Sequence, residues 1–198
     1  MTDPFFRPLL LLQSAEEDLT MSSPPSFLDN YTSIRLLGRG GFGAVWLASR
    51  RLDGHLVAAK QIPDQKCRAS WCTERHAWIP DEVLISETLN HPNLLKQYDI
   101  FLDNRTCTLV MEYLPSFLDL FDYVAENGHL SENASREVLA QLLDTTLYLI
   151  TKKVDHRDNK CENVLYNPVT HKIRLIDFGS IYLPPEFHNT GPTPTCQQ

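Results

Sequence analysis

The spacing of apolar and polar positions changes along the chain from a period of two to a period near 3.6. Between Tyr31 and Leu114, short runs such as "AVWLASR" and "HLVAAKQI" are rich in β-branched and aromatic residues and alternate with turn residues, which predicts a meander of antiparallel strands. Asp53-Gly54 is expected at one hairpin turn. From the favourable N-cap Ser131, helical periodicity predicts a long amphipathic helix over 131–151. Its recurring apolar positions are Leu139, Leu142, Leu143, Leu147 and Ile150.

A shorter helix is predicted between Pro80 and Asn90, because a proline followed by acids suits a first helical turn. Residues 1–30 mix proline, serine and acidic residues without a sustained apolar period, which predicts a mostly disordered leader. Residues 181–198 are rich in proline and threonine and are expected to form an irregular tail. The whole pattern predicts an α+β protein with strands first and helices second.

Composition narrows the class of protein. The 198 residues, 42% of them apolar and 10% aromatic, suffice for one core or two small lobes. The net charge of −7 argues against a nonspecific nucleic-acid binder and favours basic partners. Five scattered cysteines favour free thiols in a reducing compartment, so we expect the protein in the cytoplasm or nucleus. The run "PLLLL" is too short to span a bilayer, and no membrane partner is expected.

A glycine-rich segment is the first candidate for chemistry. The run "LGRGGFGAV" places Gly38, Gly40, Gly43 and Val45 in the pattern G-x-G-x-x-G-x-V. Glycines at these positions let backbone amides approach phosphate oxygens without an intervening Cβ. A dinucleotide-binding turn would need a helix directly after the glycines, whereas the next residues are strand-forming, and the Walker pattern is absent. Both rival phosphate loops are therefore disfavoured.

Three further motifs follow in a fixed order. The run "VAAK" puts Lys60 on the third predicted strand, where a cation can bridge phosphates, and "HRDNKCEN" supplies Asp158, Lys160 and Asn163. Asp177 opens "DFG", fourteen residues after Asn163. Together the four motifs resemble those of eukaryotic protein kinases. The runs "LLGRGGFGAVW", "SWCTERHAWIPDEV", "DLFDYVAENGHL" and "KIRLIDFGS" further resemble the Pim family of serine/threonine kinases.

The resemblance implies a two-lobe, protein-kinase-like fold. Residues 31–112 would form an N-lobe built on an antiparallel sheet with one main helix, and residues 113–180 the hinge and an incomplete helical C-lobe. Only nineteen residues follow Gly179 in "DFG", so the resemblance implies a C-terminally truncated kinase domain. Without further helices, the apolar stripe of helix 131–151 would be exposed, and a partner is expected to cover it.

The implied activity is ATP-dependent phosphorylation of Ser or Thr in protein substrates, with Mg²⁺ as the metal. Asp158 would accept the proton of the substrate hydroxyl, and Lys160 would neutralise the γ-phosphate. Asn163 and Asp177 would ligate Mg²⁺. The alternative for these polar residues is an ordinary hydrogen-bonded loop.

The resemblance also assigns the nucleotide site. Lys60 would bind the α- and β-phosphates and pair with Glu82, which could otherwise be a solvated acid in a first helical turn. Adenine would lie among apolar side chains that could equally be plain core, with the hinge backbone reading its edge. These residues are Leu37, Val45, Ala58, Met111, Leu165 and, in the hinge, Glu112 to Leu114. Leu114 stands where Pim kinases have a proline, and it restores a backbone donor.

Other positions concern substrates and activity. Asp119 and Asp122 match acidic residues that would select arginine-rich substrates, although they could serve as helix N-terminal charges. Ser86 and Gln97 stand where the resemblance implies apolar side chains, so we expect them to hydrogen-bond to each other or to leave that stack loose. The competing hypothesis is a catalytically dead fragment that binds nucleotide or a partner.

Overall fold

The structure is a computed structural model that describes residues 26–41, 43–63, 69–72, 77–103 and 106–182. This part of the chain contains four α-helices and ten strands. The helices are α1 (Phe27–Asn30), α2 (Asp81–Ser86), α3 (Leu120–Asn127) and α4 (Glu132–Thr151). The strands are β1 (Tyr31–Gly40), β2 (Gly43–Arg50), β3 (Leu56–Pro63), β4 (Ala69–Cys72), β5 (Ala77–Pro80), β6 (Gln97–Asp103), β7 (Thr106–Glu112), β8 (Leu118–Asp119), β9 (Val164–Tyr166) and β10 (Ile173–Leu175).

The first lobe is built on a five-stranded antiparallel sheet in the order β1-β2-β3-β7-β6. The turn between β2 and β3 contains Gly54 at a φ of 74°, as the predicted hairpin requires. The sheet carries one buried cluster on each face. One cluster is Phe27, Tyr31, Ala48, Val57, Ala59 and Val110; the other, which includes α2, is Ile62, Ile79, Val83, Cys107 and Leu109.

The second lobe packs α3 and α4 around the small antiparallel sheet β10-β9-β8. Asp119 caps α3 through its side chain, and Gly128 ends that helix at a φ of 87°, a backbone conformation that glycine adopts readily. Buried apolar side chains form one continuous core. They are Ile85, Leu94, Leu120, Val138, Leu149, Val154, Val164, Tyr166, Ile173, Leu175 and Ile181.

The disordered leader predicted for residues 1–30 extends too far, because its last four residues are helical. Residues 27–30 form the single helical turn α1, whose Phe27 is buried and stacks on Tyr31 with ring centroids 5.3 Å apart. The aromatic side chain of Phe27 gains burial against the sheet, which offsets the cost of ordering one turn. Residues 1–25, and the predicted tail from 183 to 198, lie outside the described residues.

The predicted helix between Pro80 and Asn90 ends earlier than expected, at Ser86. Its start agrees with the prediction, because Pro80 precedes the first turn and Asp81 and Glu82 lie within it. The hydroxyl of Ser86 reaches the carbonyl oxygen of Val83 at 2.9 Å, and Thr88 just beyond the helix does the same to Ile85. Hydroxyl groups that bond to a carbonyl three residues back compete with helical hydrogen bonding, which accounts for the early end.

The order of strands first and helices second is only partly correct. The hairpin β4–β5 directly precedes α2, and β8, β9 and β10 form a sheet within the helical lobe. These strands are two to four residues long. Runs this short carry too few positions to show an alternating pattern, and β8 pairs with β9, which follows it only after α3 and α4.

Helix α4 confirms the prediction for 131–151 almost to the residue. Ser131 is its N-cap and accepts a hydrogen bond from the amide of Ala134 at 3.2 Å. The buried face of α4 includes Ala134, Val138, Thr145 and Leu149. The opposite face is a stripe of side chains that are each more than half exposed, here called the α4 stripe: Leu139, Leu143, Leu147 and Ile150. None of the described helices, α4 included, is both long and apolar enough to cross a membrane.

We predict opposite results for charges introduced on the two faces of α4. Leu143→Lys should leave the melting temperature within about 2 °C of that of the unaltered chain, because substitutions at exposed positions rarely change the free energy of unfolding by more than about 0.5 kcal/mol. The same variant should raise the monomeric fraction at high protein concentration. Leu149→Lys buries a charge in the core and should abolish cooperative unfolding. Light scattering after size exclusion and thermal unfolding measure both. Equal loss of stability in the two variants would contradict the exposed stripe.

Candidate active site

A buried lysine joins three separate segments of the chain. Lys60 lies on β3, and its Nζ is 2.6 Å from Glu82 Oε2 on α2 and 2.9 Å from Asp177 Oδ1 in the segment that follows β10. Burial of Lys60 acts to lower its pKa, but the charges of Glu82 and Asp177 outweigh it and raise the pKa. The ammonium group therefore stays charged. The predicted pairing of Lys60 with Glu82 is present in the structure.

Asp177 owes its orientation to an uncommon backbone conformation. Its φ of 63° lies in the left-handed region, which Asp tolerates better than most residues with a Cβ. The same carboxylate oxygen that contacts Lys60 accepts a hydrogen bond from the amide of Gly179 at 3.3 Å. The turn thus directs the carboxylate of Asp177 towards the first lobe.

A second polar cluster lies in the loop after α4. Asn163 is buried, and its Nδ2 donates to Asp158 at both the carboxylate Oδ2, 2.9 Å away, and the backbone oxygen, 2.8 Å away. Lys160 Nζ lies 2.9 Å from the same Oδ2. The hydrogen bond from Lys160, followed by that from Asn163, lowers the pKa of Asp158. Asp158 is therefore ionised at neutral pH.

Backbone contacts connect this loop to the segment of Asp177. The amide of Ile176 donates to the carbonyl oxygen of Asn163 at 2.9 Å, and His156 Nε2 lies 3.1 Å from the carbonyl oxygen of Ile176. The imidazole of His156 also meets the ring of Phe178 edge-on, with centroids 4.9 Å apart. Burial lowers the pKa of His156, so we assign its neutral form, with Nε2–H as the donor. The two predicted Mg²⁺ ligands, Asn163 and Asp177, are thereby held on adjacent segments.

The three motif glycines have different structural roles. Gly43 has a φ of 146°, and a Cβ built on it would lie 2.0 Å from the carbonyl oxygen of Gln61, so only glycine fits between β2 and β3. A Cβ at Gly38 or Gly40 would meet nothing within 4 Å. Only Gly43 is thus required by the packing of the described residues. The open space at Gly38 and Gly40 leaves their backbone accessible.

The predicted adenine residues lie on the strands around Lys60. Val45 pairs with Lys60 across β2 and β3, and Ala58, two residues before Lys60, points to the same side of the sheet and pairs with Met111. Leu165 is half-buried on β9. Leu37, Glu112 and Leu114 are likewise half-buried. Among the described residues the amide of Leu114 has no hydrogen-bond acceptor, which leaves the predicted donor available.

The predicted substrate acids have distinct environments. Asp119 caps α3, accepting from the amides of Phe121 at 2.8 Å and Asp122 at 3.4 Å, so the alternative of a helix N-terminal charge applies to it. Burial, with a smaller contribution from the charges of Asp122 and Glu162, raises the pKa of Asp119. Asp122 is exposed. Glu162 is an acid that the motif analysis did not select, because its proximity to Asp119 arises only from folding.

The donor set suits a hard cation with phosphate ligands. Asp177 and Asn163 offer carboxylate and carboxamide oxygens, which Mg²⁺ prefers, and Asn163 Oδ1 has no partner among the described residues. The described residues contain no cluster of three His, Cys, Asp or Glu side chains that could form a metal cage on its own. A nucleotide-borne Mg²⁺ typically has only one or two protein ligands, so the residues present fit.

This arrangement defines the class of protein. A sheet-based lobe supplies the glycine turn and a lysine paired with a helical glutamate, and a helical lobe supplies the second polar cluster and a left-handed aspartate. These are the parts of a protein kinase. The chain belongs to the protein kinase family: the model of the protein kinase domain matches residues 31–187.

The relatives it matches are protein kinases, and OSK3 and pim-2 are named as serine/threonine kinases. The chain is 34% identical over 151 residues to the mitosis inducer protein kinase cdr1 of Schizosaccharomyces pombe, covering 76% of this chain and 24% of that protein. It is 34% identical to the serine/threonine protein kinase OSK3 of Oryza sativa subsp. indica, covering 77% and 29%, respectively. The serine/threonine-protein kinase pim-2 of Danio rerio is 33% identical, with coverage of 78% and 53%.

A solved structure supports the same fold. The crystal structure of Rad53 1-466 in complex with AMP-PNP superposes with a TM-score of 0.67 at 28% identity, covering 77% of this chain and 39% of that one. The chain thus spans between about a quarter and a half of the curated relatives named above. The likeness to cdr1, OSK3 and pim-2 is nearly equal, so it establishes the kinase family and leaves the Pim subfamily undecided.

We predict that Mg-ATP stabilises the chain through this site. At a free ligand concentration of 100 Kd, linkage gives about 2.7 kcal/mol, which raises the melting temperature by roughly 5–10 °C in a protein of this size. Lys60→Met and Asp177→Asn should each remove most of that shift. Glu126→Gln changes an exposed acid on α3 and should keep it. A shift that persists in Lys60→Met would place nucleotide binding elsewhere.

Proposed function

We propose that the chain transfers the γ-phosphate of Mg-ATP to Ser or Thr hydroxyl groups of protein substrates. The observation that carries the proposal is the convergence of two charged clusters. The first is formed by Lys60, Glu82 and Asp177, and the second by Asp158, Lys160 and Asn163. Phosphoryl transfer depends mainly on positioning and on electrostatic stabilisation, and these clusters supply fixed charges of both signs.

Each residue has a role that its environment supports. Asp158 accepts the proton of the substrate hydroxyl, for which its lowered pKa keeps it ionised. Lys160 and Lys60 bind the phosphates as cations. Mg²⁺ would be held by Asn163 and Asp177, and when bound it neutralises charge on the transferring phosphoryl group.

We further propose substrates that are rich in arginine. Asp122 is exposed, and its charge and that of Glu162 both act on Asp119, so negative charge is concentrated around the start of α3. The net charge of −7 adds a weaker, general attraction for basic chains. Within the family, the similarity to pim-2 and the runs quoted above support a Pim-like assignment. The free thiols of Cys72, Cys107 and Cys161 support a place in the cytoplasm or nucleus.

A second candidate function rests on the α4 stripe. Four large apolar side chains on one exposed helix face favour association with a partner that covers them. In this alternative the chain binds nucleotide and a partner without turnover. The kinase assay below separates the two functions.

The decisive assay is transfer of labelled phosphate from Mg-ATP to a serine peptide preceded by arginines. We predict transfer by the purified chain and a fall of at least about 100-fold in kcat for Asp158→Asn, because general-base catalysis contributes 10²–10⁴-fold. Lys60→Met should be similarly impaired. The Asn variant preserves the shape of Asp158, so folding is matched, and Glu126→Gln provides an active control.

Two outcomes would overturn the proposal. Equal transfer by Asp158→Asn and the unaltered chain would mean that another residue, or a contaminating kinase, accounts for the signal. Absence of transfer from a folded chain that Mg-ATP still stabilises would favour the second candidate function.

We predict a specific role for Asp122 in peptide choice. Asp122→Asn removes one exposed charge. The preference for arginine is measured as kcat/KM for the arginine peptide divided by kcat/KM for its alanine-substituted form. This preference should fall by about 3- to 10-fold, because a charge-assisted contact contributes roughly 1 kcal/mol. Asp119→Asn removes charge but keeps a good N-cap, so it tests electrostatics without loss of α3. An unchanged ratio in both variants would exclude these acids from substrate selection.

A further inference from the structure

The C-terminal end of α2 is joined to β6 by a polar contact. The Ser86 hydroxyl lies within hydrogen-bonding distance of the Val83 carbonyl oxygen, at 2.9 Å, and of the Gln97 carboxamide. One hydroxyl carries one proton and cannot serve two acceptors. Both contacts are satisfied when the hydroxyl donates to Val83 and the Gln97 amide group, rotated by half a turn, donates to Ser86 Oγ.

This contact lies on the same face of α2 as the glutamate of the active site. Ser86 follows Glu82 by four residues, so the two side chains are neighbours one turn apart. A helix of six residues is unstable by itself and takes its position from its surroundings. Its first residue, Asp81, accepts a hydrogen bond from Ser70 of β4 at 2.6 Å. Glu82 and its contact with Lys60 thus lie between two polar attachments.

We propose that the Ser86–Gln97 contact is a latch that positions α2, so that Glu82 reaches Lys60. Ser86 and Gln97 are then positioning residues for the phosphoryl transfer proposed above, on which this inference rests. An apolar side chain at either position would pack with little directional preference. A hydrogen bond fixes the distance and direction between α2 and β6, and removing one partner leaves a half-buried polar group unsatisfied.

The first test removes the hydroxyl. Ser86→Ala should lower kcat/KM for Mg-ATP by about 3- to 10-fold, the ordinary net value of one hydrogen bond, and Ser86→Thr should restore it to within about twofold. Thr88→Ala is the matched control. It deletes the same kind of hydroxyl-to-carbonyl bond, from Thr88 to Ile85 at 2.9 Å, just beyond the same helix. That variant should remain within twofold of the unaltered chain, and an equal loss in it would overturn the latch.

A double-mutant cycle tests whether the two residues act together. Gln97→Ala should cause a loss similar to that of Ser86→Ala, and the double variant should be no worse than either single variant. Losses that multiply in the double variant would show independent roles and overturn the proposal.

Amide hydrogen exchange provides a readout that needs no activity. Ser86→Ala should speed exchange in residues 81–87 and leave β1–β3 unchanged, whereas Thr88→Ala should change neither segment. If the unaltered chain transfers no phosphate but this exchange pattern holds, the proposed function fails and the latch stands. If transfer occurs and Ser86→Ala alters neither exchange nor kcat/KM, the latch fails and the function stands.

Discussion

The ammonium group of Lys60 organises the structure around it. It is almost fully buried, and a buried charge is costly unless partners compensate it, so Glu82 and Asp177 must both approach it closely. These partners come from α2 and from a segment 117 residues further along the chain. One cation therefore fixes the short helix against the sheet and draws the second lobe towards the first. The same geometry makes the lysine available to phosphate.

The segment between α2 and β6 makes a second connection between the two lobes. Leu94 bridges to Leu175 of β10, and the amide of Leu175 donates to the carbonyl oxygen of Asn93 at 2.8 Å. The buried side chain of Asn93 donates to Thr145 on α4 at 3.1 Å. Because a buried amide without partners is costly, this satisfied contact makes the segment a specific attachment of the first lobe to the second. The relative position of Glu82 and Asp177 thus has a second support.

The candidate site was predictable wherever chemistry requires particular residues in a particular order. Four features of the site belong to motifs whose spacing can be recognised in the sequence alone. They are the glycine turn, Lys60, the loop of Asp158 and the turn of Asp177. Glu82 stands in none of these motifs and was assigned only through the family resemblance, and the structure brings it to Lys60. The charge of Glu162 beside Asp119 could not be predicted because it depends on folding. The position of Asp119 at a helix N-terminus was one of two alternatives that the sequence left open, and the structure shows it as the cap of α3.

The fold can likewise be separated into features that the local sequence predicted and features that depend on tertiary contacts. Local rules of the sequence determined the long strands of the first lobe, the boundaries of α4 with its Ser131 cap, and the start of α2, since periodicity and capping act within a few residues. Tertiary structure decided the order of strands in the sheets, the pairing of β8 with the distant β9, and the burial of Phe27. It also decided which apolar face of α4 is buried. Periodicity reveals that a helix has an apolar face, but burial depends on which elements the rest of the chain places against it.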